Sequence, residues 1–259
     1  MHLKVKSNVI SPYVLMPGDP ARVDLIGKFL KNFQILGQNR EFRIGVGTYQ
    51  DIKVTVCSTG IGCPSTAITV EELIAAGAKV LIRVGTCGGA WRKDIPPGSL
   101  IIPTSSIRDE GTTMEYIPIG FPAVADFEVT ESLARSAQKQ KSKYFLGVNR
   151  THDAFYGSQE AITKWGVYLL EERWKNCDTP ILSSDMETSA LFVIATLRGV
   201  RAGAVLAVNA EPEDLKSRLC GNKQKVITES SQKITEQTVN RAIQTVLKGL
   251  TIINHKRRN

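Results

Sequence analysis

The segment from Gly18 to Arg22 carries residues suited to holding an anion. It follows the apolar run Tyr13–Met16, which predicts a short strand. Asp19-Pro20 then offers an N-cap and a first-turn proline, so a helix is predicted to begin here. Anions are favoured at helix N-termini, and the side chain of a first-turn arginine leans back toward the same place. The segment therefore predicts an anion site made of backbone N–H groups and one guanidinium.

A second arginine, Arg83, stands inside the apolar run Leu81–Val84, which otherwise predicts a strand buried on both faces. Because a buried arginine needs a partner, Arg83 either forms a structural ion pair with a carboxylate or binds an anion. The glycine-rich turns at 60–62 and 85–89, together with Thr86, favour the anion. Ligands of open α/β sheets bind beyond the carboxyl ends of the strands, and the arginine fork matches phosphate or carboxylate.

Two carboxylates, Asp185 and Glu187, begin a segment that is apolar on every side. Both acids suit a helix N-terminus through the macrodipole, and for Asp185 we prefer this interpretation. Glu187 could instead line a cleft and accept two hydrogen bonds from a vicinal diol such as a ribose, so both alternatives stay open for it. His2 is compatible with an ordinary terminal residue, and the neighbours His152-Asp153 are weak evidence for catalysis.

Several other site types are excluded by the motifs. The chain has no G-x-x-x-x-G-K-[ST] and no G-x-G-x-x-G, so a nucleoside triphosphate or a dinucleotide is poorly supported as a ligand. It has no G-x-S-x-G and only three histidines, without metal-ligand spacing, which argues against a serine hydrolase or a zinc enzyme. The five cysteines are expected to be reduced and mostly part of the core.

Apolar runs alternate with helical patterns along the chain, which predicts a mostly parallel sheet covered by helices in a single domain over residues 1–259. Further strands are predicted at Ile52–Cys57, Val80–Val84, Leu100–Ile102 and Ala204–Val208. Helices are predicted at 64–76, 186–197 and 225–250. The segment Ile107–Asp126 is rich in Gly, Pro and Thr and predicts a long loop, which in a compact domain is usually functional or interfacial.

The net charge is +8, and four cations near the C-terminus contribute half of it, with no acid after Glu236. These four are Lys248, Lys256, Arg257 and Arg258. We interpret them as a solvated basic tail rather than a nucleic-acid surface, because the tail offers only charge. No apolar stretch reaches 18 residues and the first residues lack the apolar run of a signal peptide, so we expect a cytoplasmic protein without membrane or nucleic-acid partners.

Taken together and in order, eight segments spread over nearly the whole chain resemble the nucleoside phosphorylases of the uridine phosphorylase and bacterial purine nucleoside phosphorylase type. The segments are Met16-Pro17-Gly18-Asp19-Pro20-x-Arg22-Val23, Arg40-Glu41-Phe42, Cys57-Ser58-Thr59-Gly60-Ile61-Gly62, Glu71-Glu72-Leu73, Arg83-Val84-Gly85-Thr86-Cys87-Gly88, Phe121-Pro122-Ala123-Val124-Ala125-Asp126, Asp153-Ala154-Phe155-Tyr156 and Met186-Glu187. The resemblance implies a three-layer α/β fold with a central mixed, barrel-like sheet flanked by helices. It also implies phosphorolysis of a nucleoside, uridine first, to free base and ribose 1-phosphate in nucleoside salvage or catabolism.

The resemblance further implies roles for individual residues. Phosphate would be held by Gly18, Arg22, Arg83 and Thr86, and by Arg40 of a neighbouring subunit. Ribose would be bound by Met186 and Glu187, with His2 reaching the 5′-hydroxyl across a dimer interface. Phe155 and Gln159 would face the base. The residues expected to carry catalysis are Arg22, Arg83 and Glu187.

The same likeness implies that phosphate is the co-substrate and that no cofactor is required. Glu41, Ile61 and Ser65 match positions that bind a monovalent cation, potassium, at the dimer interface of some uridine phosphorylases. The expected assembly is a homo-oligomer with shared active sites, a hexamer built as a trimer of dimers.

Two departures from the family pattern concern the base. Uridine phosphorylases have an arginine two residues after the base-reading glutamine, and Ala161 stands there instead, with Lys164 as the nearest downstream cation. The acid of the purine branch is replaced by Ala210, although Glu211 follows it. A purine nucleoside therefore remains the alternative substrate. A nucleosidase that uses water and a nucleoside-binding protein without turnover remain alternative functions. The presence of Arg22, Arg40 and Arg83 together disfavours the nucleosidase, which binds no phosphate.

Overall fold

The structure is a computed structural model that describes residues 2–5, 9–88, 94–155, 181–209 and 229–258. Its strands are β1 (Tyr13–Met16), β2 (Lys31–Asn39), β3 (Phe42–Tyr49), β4 (Ile52–Cys57), β5 (Val80–Cys87), β6 (Leu100–Asp109), β7 (Ala123–Val124), β8 (Tyr144–His152), β9 (Ile181–Asp185) and β10 (Arg201–Val208). Its helices are α1 (Ala21–Gly27), α2 (Cys63–Ala75), α3 (Phe127–Lys139), α4 (Thr188–Leu197) and α5 (Glu229–Arg258), with a 3-10 turn at Thr112–Met114.

All ten strands join one mixed sheet in the order β2-β3-β4-β1-β5-β10-β6-β8-β9, with β7 added beside β6. The centre is parallel, since β1 runs parallel to both β4 and β5, and β10 runs parallel to β5. β6 reverses direction against β10, and β8 and β9 then follow parallel to β6. A bridge between Gly88 and Ser184 joins the end of β5 to β9, so this half of the sheet curls back on itself. The predicted mixed, barrel-like sheet is confirmed.

Helices cover the sheet on both sides, which gives three layers. One apolar core contains the buried faces of α2 and α4, and the other contains those of α1, α3 and α5. α4 is buried from Thr188 to Ala195, as its all-round apolar sequence predicts. Each fully buried Leu, Ile, Val or Phe side chain in these cores contributes about 1.5–3 kcal/mol of transfer free energy. That packing gives the strand ends beneath the helices a fixed position.

The element boundaries differ from the sequence prediction in instructive ways. Gly85-Thr86-Cys87 was expected to be a turn, but it continues β5, because Leu206–Val208 of β10 pairs with this run residue by residue. β6 runs on to Asp109, beyond its predicted end at Ile102, because β8 pairs with it along that length. The last helix continues to Arg258, past the predicted end at Leu250.

The hairpin of β2 and β3 was not predicted. β2 is an edge strand that is mostly exposed, so its sequence shows no buried alternation. Among the described residues, no helix is long and apolar enough to cross a membrane.

Candidate active site

Arg83 lies on β5 and contacts two acids, Asp185 at the end of β9 and Glu187 just after it. Its Nε donates to Asp185 Oδ2 at 3.0 Å and its Nη2 donates to Glu187 Oε2 at 2.5 Å. Only 4% of the arginine is exposed. Burial alone would lower the pKa of Arg83, but the charges of Glu187 and Asp185 outweigh it and raise that pKa. The structural ion pair considered for Arg83 is therefore present, and it uses two of the three guanidinium nitrogens.

The third nitrogen, Nη1 of Arg83, is buried and has no hydrogen-bond partner among the described residues. It lies beside the turn that follows β1, because Met16 of β1 pairs with Arg83 in the sheet. A Cβ added to Gly18 would stand 3.9 Å from this nitrogen and 3.3 Å from the Gly60 carbonyl oxygen. A buried charged donor without an acceptor is costly, so Nη1 marks the place where an anion fits.

Arg22 faces the same place from the first turn of α1. Pro20 stands at the N-cap of this helix, one position later than predicted, and Asp19 Oδ1 accepts the N–H of Ala21 at 2.8 Å just before it. The pKa of Arg22 is lowered, first by burial and then by the positive charge of Arg83, while Asp19 and Glu187 oppose the shift. The Arg22 side chain forms no hydrogen bond or ion pair within the described parts of the chain. Two guanidinium groups that repel each other and each retain donors form a site for a multivalent anion.

Glu187 connects the arginine to the N-terminus of α2. Its Oε1 accepts the N–H of Gly62 at 2.8 Å, and Gly62 adopts a φ of +91° that favours glycine. Glu187 is 6% exposed at the start of α4. Burial raises the pKa of Glu187, Arg83 lowers it, and Asp185 adds to the rise. Each oxygen of Glu187 accepts one hydrogen bond in the structure, which leaves lone pairs for a ligand hydroxyl.

Met186 and Thr86 are half-buried at the same edge of the sheet. The Met186 carbonyl oxygen lies 3.2 Å from Cys63 Sγ at the start of α2. Thr86, near the end of β5, keeps its hydroxyl without a hydrogen bond to any described residue. Thr86 follows Arg83 by three residues on β5, and Met186 is the chain neighbour of Glu187.

Sequence reasoning underestimated Asp185. Its Oδ2 accepts the N–H of Thr188 at 3.2 Å, so it does cap α4, but it also pairs with Arg83. Asn149 and Thr151 on β8 donate to its Oδ1, at 2.8 and 2.9 Å. Neither of these β8 residues was singled out from the sequence. Their spacing of two, which places both on one face of a strand, was the available signal.

His2 and Arg40 lie away from this cleft, around the β2–β3 hairpin. The backbone N–H and the ring Nδ1 of His2 contact Glu72 Oε1 of α2, at 2.7 and 2.9 Å. The His2 ring also meets Phe42 edge to face, with centroids 6.1 Å apart. Arg40 is exposed at the hairpin tip, with a φ of +55°. Within one subunit the structure does not bring these two residues to Arg83.

The residues expected to bind a monovalent cation are partly together. Ser65 Oγ donates to Glu41 Oε1 at 2.9 Å. The pKa of Glu41 is lowered, first by a hydrogen bond from its own backbone N–H and then by Ser65. Gly60 packs tightly here, since an added Cβ would stand 2.4 Å from Glu41 Cγ. Ile61 is 79% exposed beside them.

The residues expected to face the base are described only in part. Phe155 is 61% exposed just after β8. Gln159 lies outside the described residues, as do Ala161, Lys164, Ala210 and Glu211. His152 ends β8, and its pKa is lowered, first by burial and then by the charge of Arg150.

The chain matches known proteins along almost its full length. A family model described as the phosphorylase superfamily matches residues 12–249. A uridine phosphorylase of Treponema pallidum is 45% identical over 210 residues, which are 80% of this chain and 80% of that protein. A guanosine phosphorylase of Halorubrum lacusprofundi is 32% identical over 256 residues, covering 97% of this chain and 98% of that one. The crystal structure of a uridine phosphorylase from Vibrio fischeri superposes with a TM-score of 0.82 at 34% identity, covering 96% of each chain.

Proposed function

This chain belongs to the phosphorylase superfamily, and we propose on that basis that it is a nucleoside phosphorylase, a pentosyltransferase that splits uridine with inorganic phosphate. The products are uracil and ribose 1-phosphate. The observation that carries the proposal is the buried, unpartnered Nη1 of Arg83 beside Gly18, within reach of a second arginine, Arg22. A nucleosidase that uses water has no need for this pair of cations.

In the proposed mechanism, phosphate bound by Gly18, Arg22, Arg83 and Thr86 attacks the anomeric carbon of the ribose. The C–O bond to phosphate forms as the bond to the base breaks, through an oxocarbenium-like transition state. Glu187 orients the sugar by accepting hydrogen bonds from its hydroxyl groups, and Met186 lies beside Glu187 in the chain. The protein contributes alignment of the nucleophile and electrostatic stabilisation rather than covalent chemistry.

The base is read by Phe155 and Gln159 in this proposal, and guanosine is the second candidate substrate because one relative over nearly the whole chain is a guanosine phosphorylase. Without an arginine at Ala161, one uracil carbonyl loses a protein donor. An unpaired buried carbonyl costs about 1–3 kcal/mol, although a water or Lys164 can supply the hydrogen bond.

Release of free base from a nucleoside panel, with and without phosphate, tests both parts of the proposal. We expect release to require phosphate and to yield a pentose 1-phosphate, with uridine preferred over thymidine, inosine, guanosine and adenosine. Equal rates in phosphate-free buffer would make the enzyme a nucleosidase. A tenfold or greater preference for a purine nucleoside would overturn uridine while keeping the phosphorylase (a tenfold ratio is about 1.4 kcal/mol).

We further propose that the active site is shared between subunits of a hexamer built as a trimer of dimers. Arg40 then completes the phosphate site of a neighbouring subunit and His2 contacts the ribose there, because both lie away from Arg83 within their own subunit. Glu41, Ile61 and Ser65 would offer oxygens to a potassium ion at the dimer interface. The described cysteines Cys57, Cys63 and Cys87 are free thiols, which fits the cytoplasm we propose as the location.

Mixing two inactive variants tests the shared site. Arg40→Ala removes the residue donated to the neighbour, and Arg22→Ala removes one used within its own subunit without leaving a buried carboxylate unpaired. After the two variants are unfolded and refolded together, we expect recovery of activity, because some mixed dimers contain one intact site. A fully active monomer in analytical ultracentrifugation, or mixtures no more active than the separate variants, would contradict the shared site.

A further inference from the structure

The carboxylate of Asp185 is occupied on both oxygens by donors from three elements. Oδ2 accepts from Arg83 Nε at 3.0 Å and from Thr188 Oγ1 at 2.5 Å. Oδ1 accepts from Asn149 Nδ2 at 2.8 Å and from Thr151 Oγ1 at 2.9 Å. The side chain is only 1% exposed. The Thr188 N–H adds longer contacts to Oδ2 and Oδ1, at 3.2 and 3.4 Å, so both oxygens of this buried carboxylate are taken up by protein donors.

The Asn149 side chain is held just as firmly. Its Oδ1 accepts from Ser183 Oγ at 2.8 Å, and its Nδ2 also donates to Ser106 Oγ at 3.1 Å. Asn149 is 0% exposed and Ser183 is 2% exposed. A buried chain of hydrogen bonds therefore runs from β6 through β8 and β9 to Arg83 on β5. Fully satisfied buried networks of this kind fix side chains in one geometry.

This network decides which way the guanidinium of Arg83 points. The Nε bond to Asp185 and the Nη2 bond to Glu187 together fix the guanidinium plane. Gly85 supports the same position, since an added Cβ would stand 2.8 Å from Arg83 Cζ. With two nitrogens held, the remaining one, Nη1, is directed toward the turn at Gly18.

Building on the proposed phosphorylase function, we propose that Asp185 is a positioning residue for phosphate binding and that Asn149 sets the position of Asp185. The two acids of the cleft thus have different tasks. Glu187 keeps lone pairs for the sugar, whereas Asp185 acts on the ligand through Arg83. Loss of Asp185 should weaken phosphate binding and leave nucleoside binding nearly unchanged, a separation that a general loss of folding stability would not produce.

The test compares Asp185→Asn, which keeps the shape and removes the charge, with wild type. Kinetics give the KM for phosphate and the KM for uridine, and calorimetry gives the Kd of inorganic phosphate for the enzyme without nucleoside. We expect the phosphate KM and Kd to rise about tenfold or more, the loss typical of one weakened charge-assisted hydrogen bond, while the uridine KM stays within about twofold. Asp185→Glu, which restores the charge, should recover part of the phosphate affinity.

Asn149→Ala is the second variant, because it keeps both charges of the Arg83–Asp185 pair and removes one donor to Asp185 Oδ1. It should also raise the phosphate Kd, by a smaller factor than Asp185→Asn does. Ser136→Ala is the matched control: Ser136 is 1% exposed and donates to the Thr245 carbonyl at 2.8 Å, between α3 and α5. This control should lower thermal stability without changing either KM.

Two outcomes would overturn the positioning role. One is a phosphate Kd that is unchanged in both Asp185→Asn and Asn149→Ala. The other is a rise in the uridine KM that matches or exceeds the rise for phosphate, which would assign Asp185 to the sugar. If wild type binds phosphate in calorimetry and the variants bind it more weakly, the positioning role stands even where turnover proves independent of phosphate. The failure of the proposed function is thereby distinguished from the failure of this inference.

Discussion

Arg83→Ala is expected to produce the largest loss of phosphorolysis of any single substitution in the cleft. The change removes Nη1, the buried donor directed at the anion site, and Nη2, which holds Glu187. Loss of one preorganised donor at a reacting oxyanion typically costs roughly 10²–10³-fold in turnover, and here the nucleophile also loses its position. Steady-state kinetics over a range of phosphate concentrations should show a fall of that size in kcat/KM for phosphate.

The same substitution is expected to destabilise the fold, because it leaves two buried carboxylates without their cation. Removing one partner of a buried pair costs about 3–5 kcal/mol. Denaturant unfolding measures this loss separately from activity. Arg83→Lys keeps the charge but cannot satisfy Asp185 and Glu187 in the planar geometry of a guanidinium, so it should recover stability more than activity.

An exposed arginine provides the control for Arg83. Arg135 is 58% exposed and pairs with Glu131 on the surface of α3. Its replacement by alanine should change the free energy of unfolding by less than about 1 kcal/mol and leave the kinetics unaltered. Arg83→Ala with a phosphate KM like that of wild type would show that Arg83 serves the fold alone and that phosphate binds elsewhere.

The sequence predicted the parts of the site that depend on local rules. Gly18, Asp19 and Arg22 lie in the turn and helix start that follow β1, and both are predicted by their own residue types. The buried position of Arg83 was likewise evident from its apolar neighbours. What the sequence left open was the partner of Arg83, because Asp185 and Glu187 lie about a hundred positions later and reach it only through the pairing of β5, β10, β6, β8 and β9.

The network around Asp185 was missed for the same physical reason. Asn149 and Thr151 lie on a strand whose partners, β6 and β9, are distant in sequence. Polar residues on a strand usually indicate an exposed face, whereas here they are buried and satisfy one another. Likewise, the tertiary pairing of β5 with β10 makes Gly85-Thr86-Cys87, expected to be a turn, part of a regular strand.

Glu187→Gln is the second substitution with a large expected effect, and it should act on the sugar. The amide accepts hydrogen bonds through its oxygen only, so either the Gly62 N–H or Arg83 Nη2 loses its acceptor. The substitution also removes the negative charge that attracts the ribose hydroxyls. Loss of two charge-assisted hydrogen bonds, each about 1.5–3 kcal/mol, predicts a fall in kcat/KM for uridine of roughly 10²-fold or more.

The pH dependence provides an independent check on Glu187. Since burial raises the pKa of this carboxyl, it becomes protonated as the pH falls through a range above the value of about 4.3 that is usual for glutamate. Protonation removes the charge that holds the sugar, so kcat/KM for uridine should fall on the acidic side within that raised range. Glu187→Gln carries no ionisable group there, and its weak residual activity should lack that acidic limb. An acidic limb that persists unchanged in Glu187→Gln would assign the titration to another group and remove Glu187 from sugar binding.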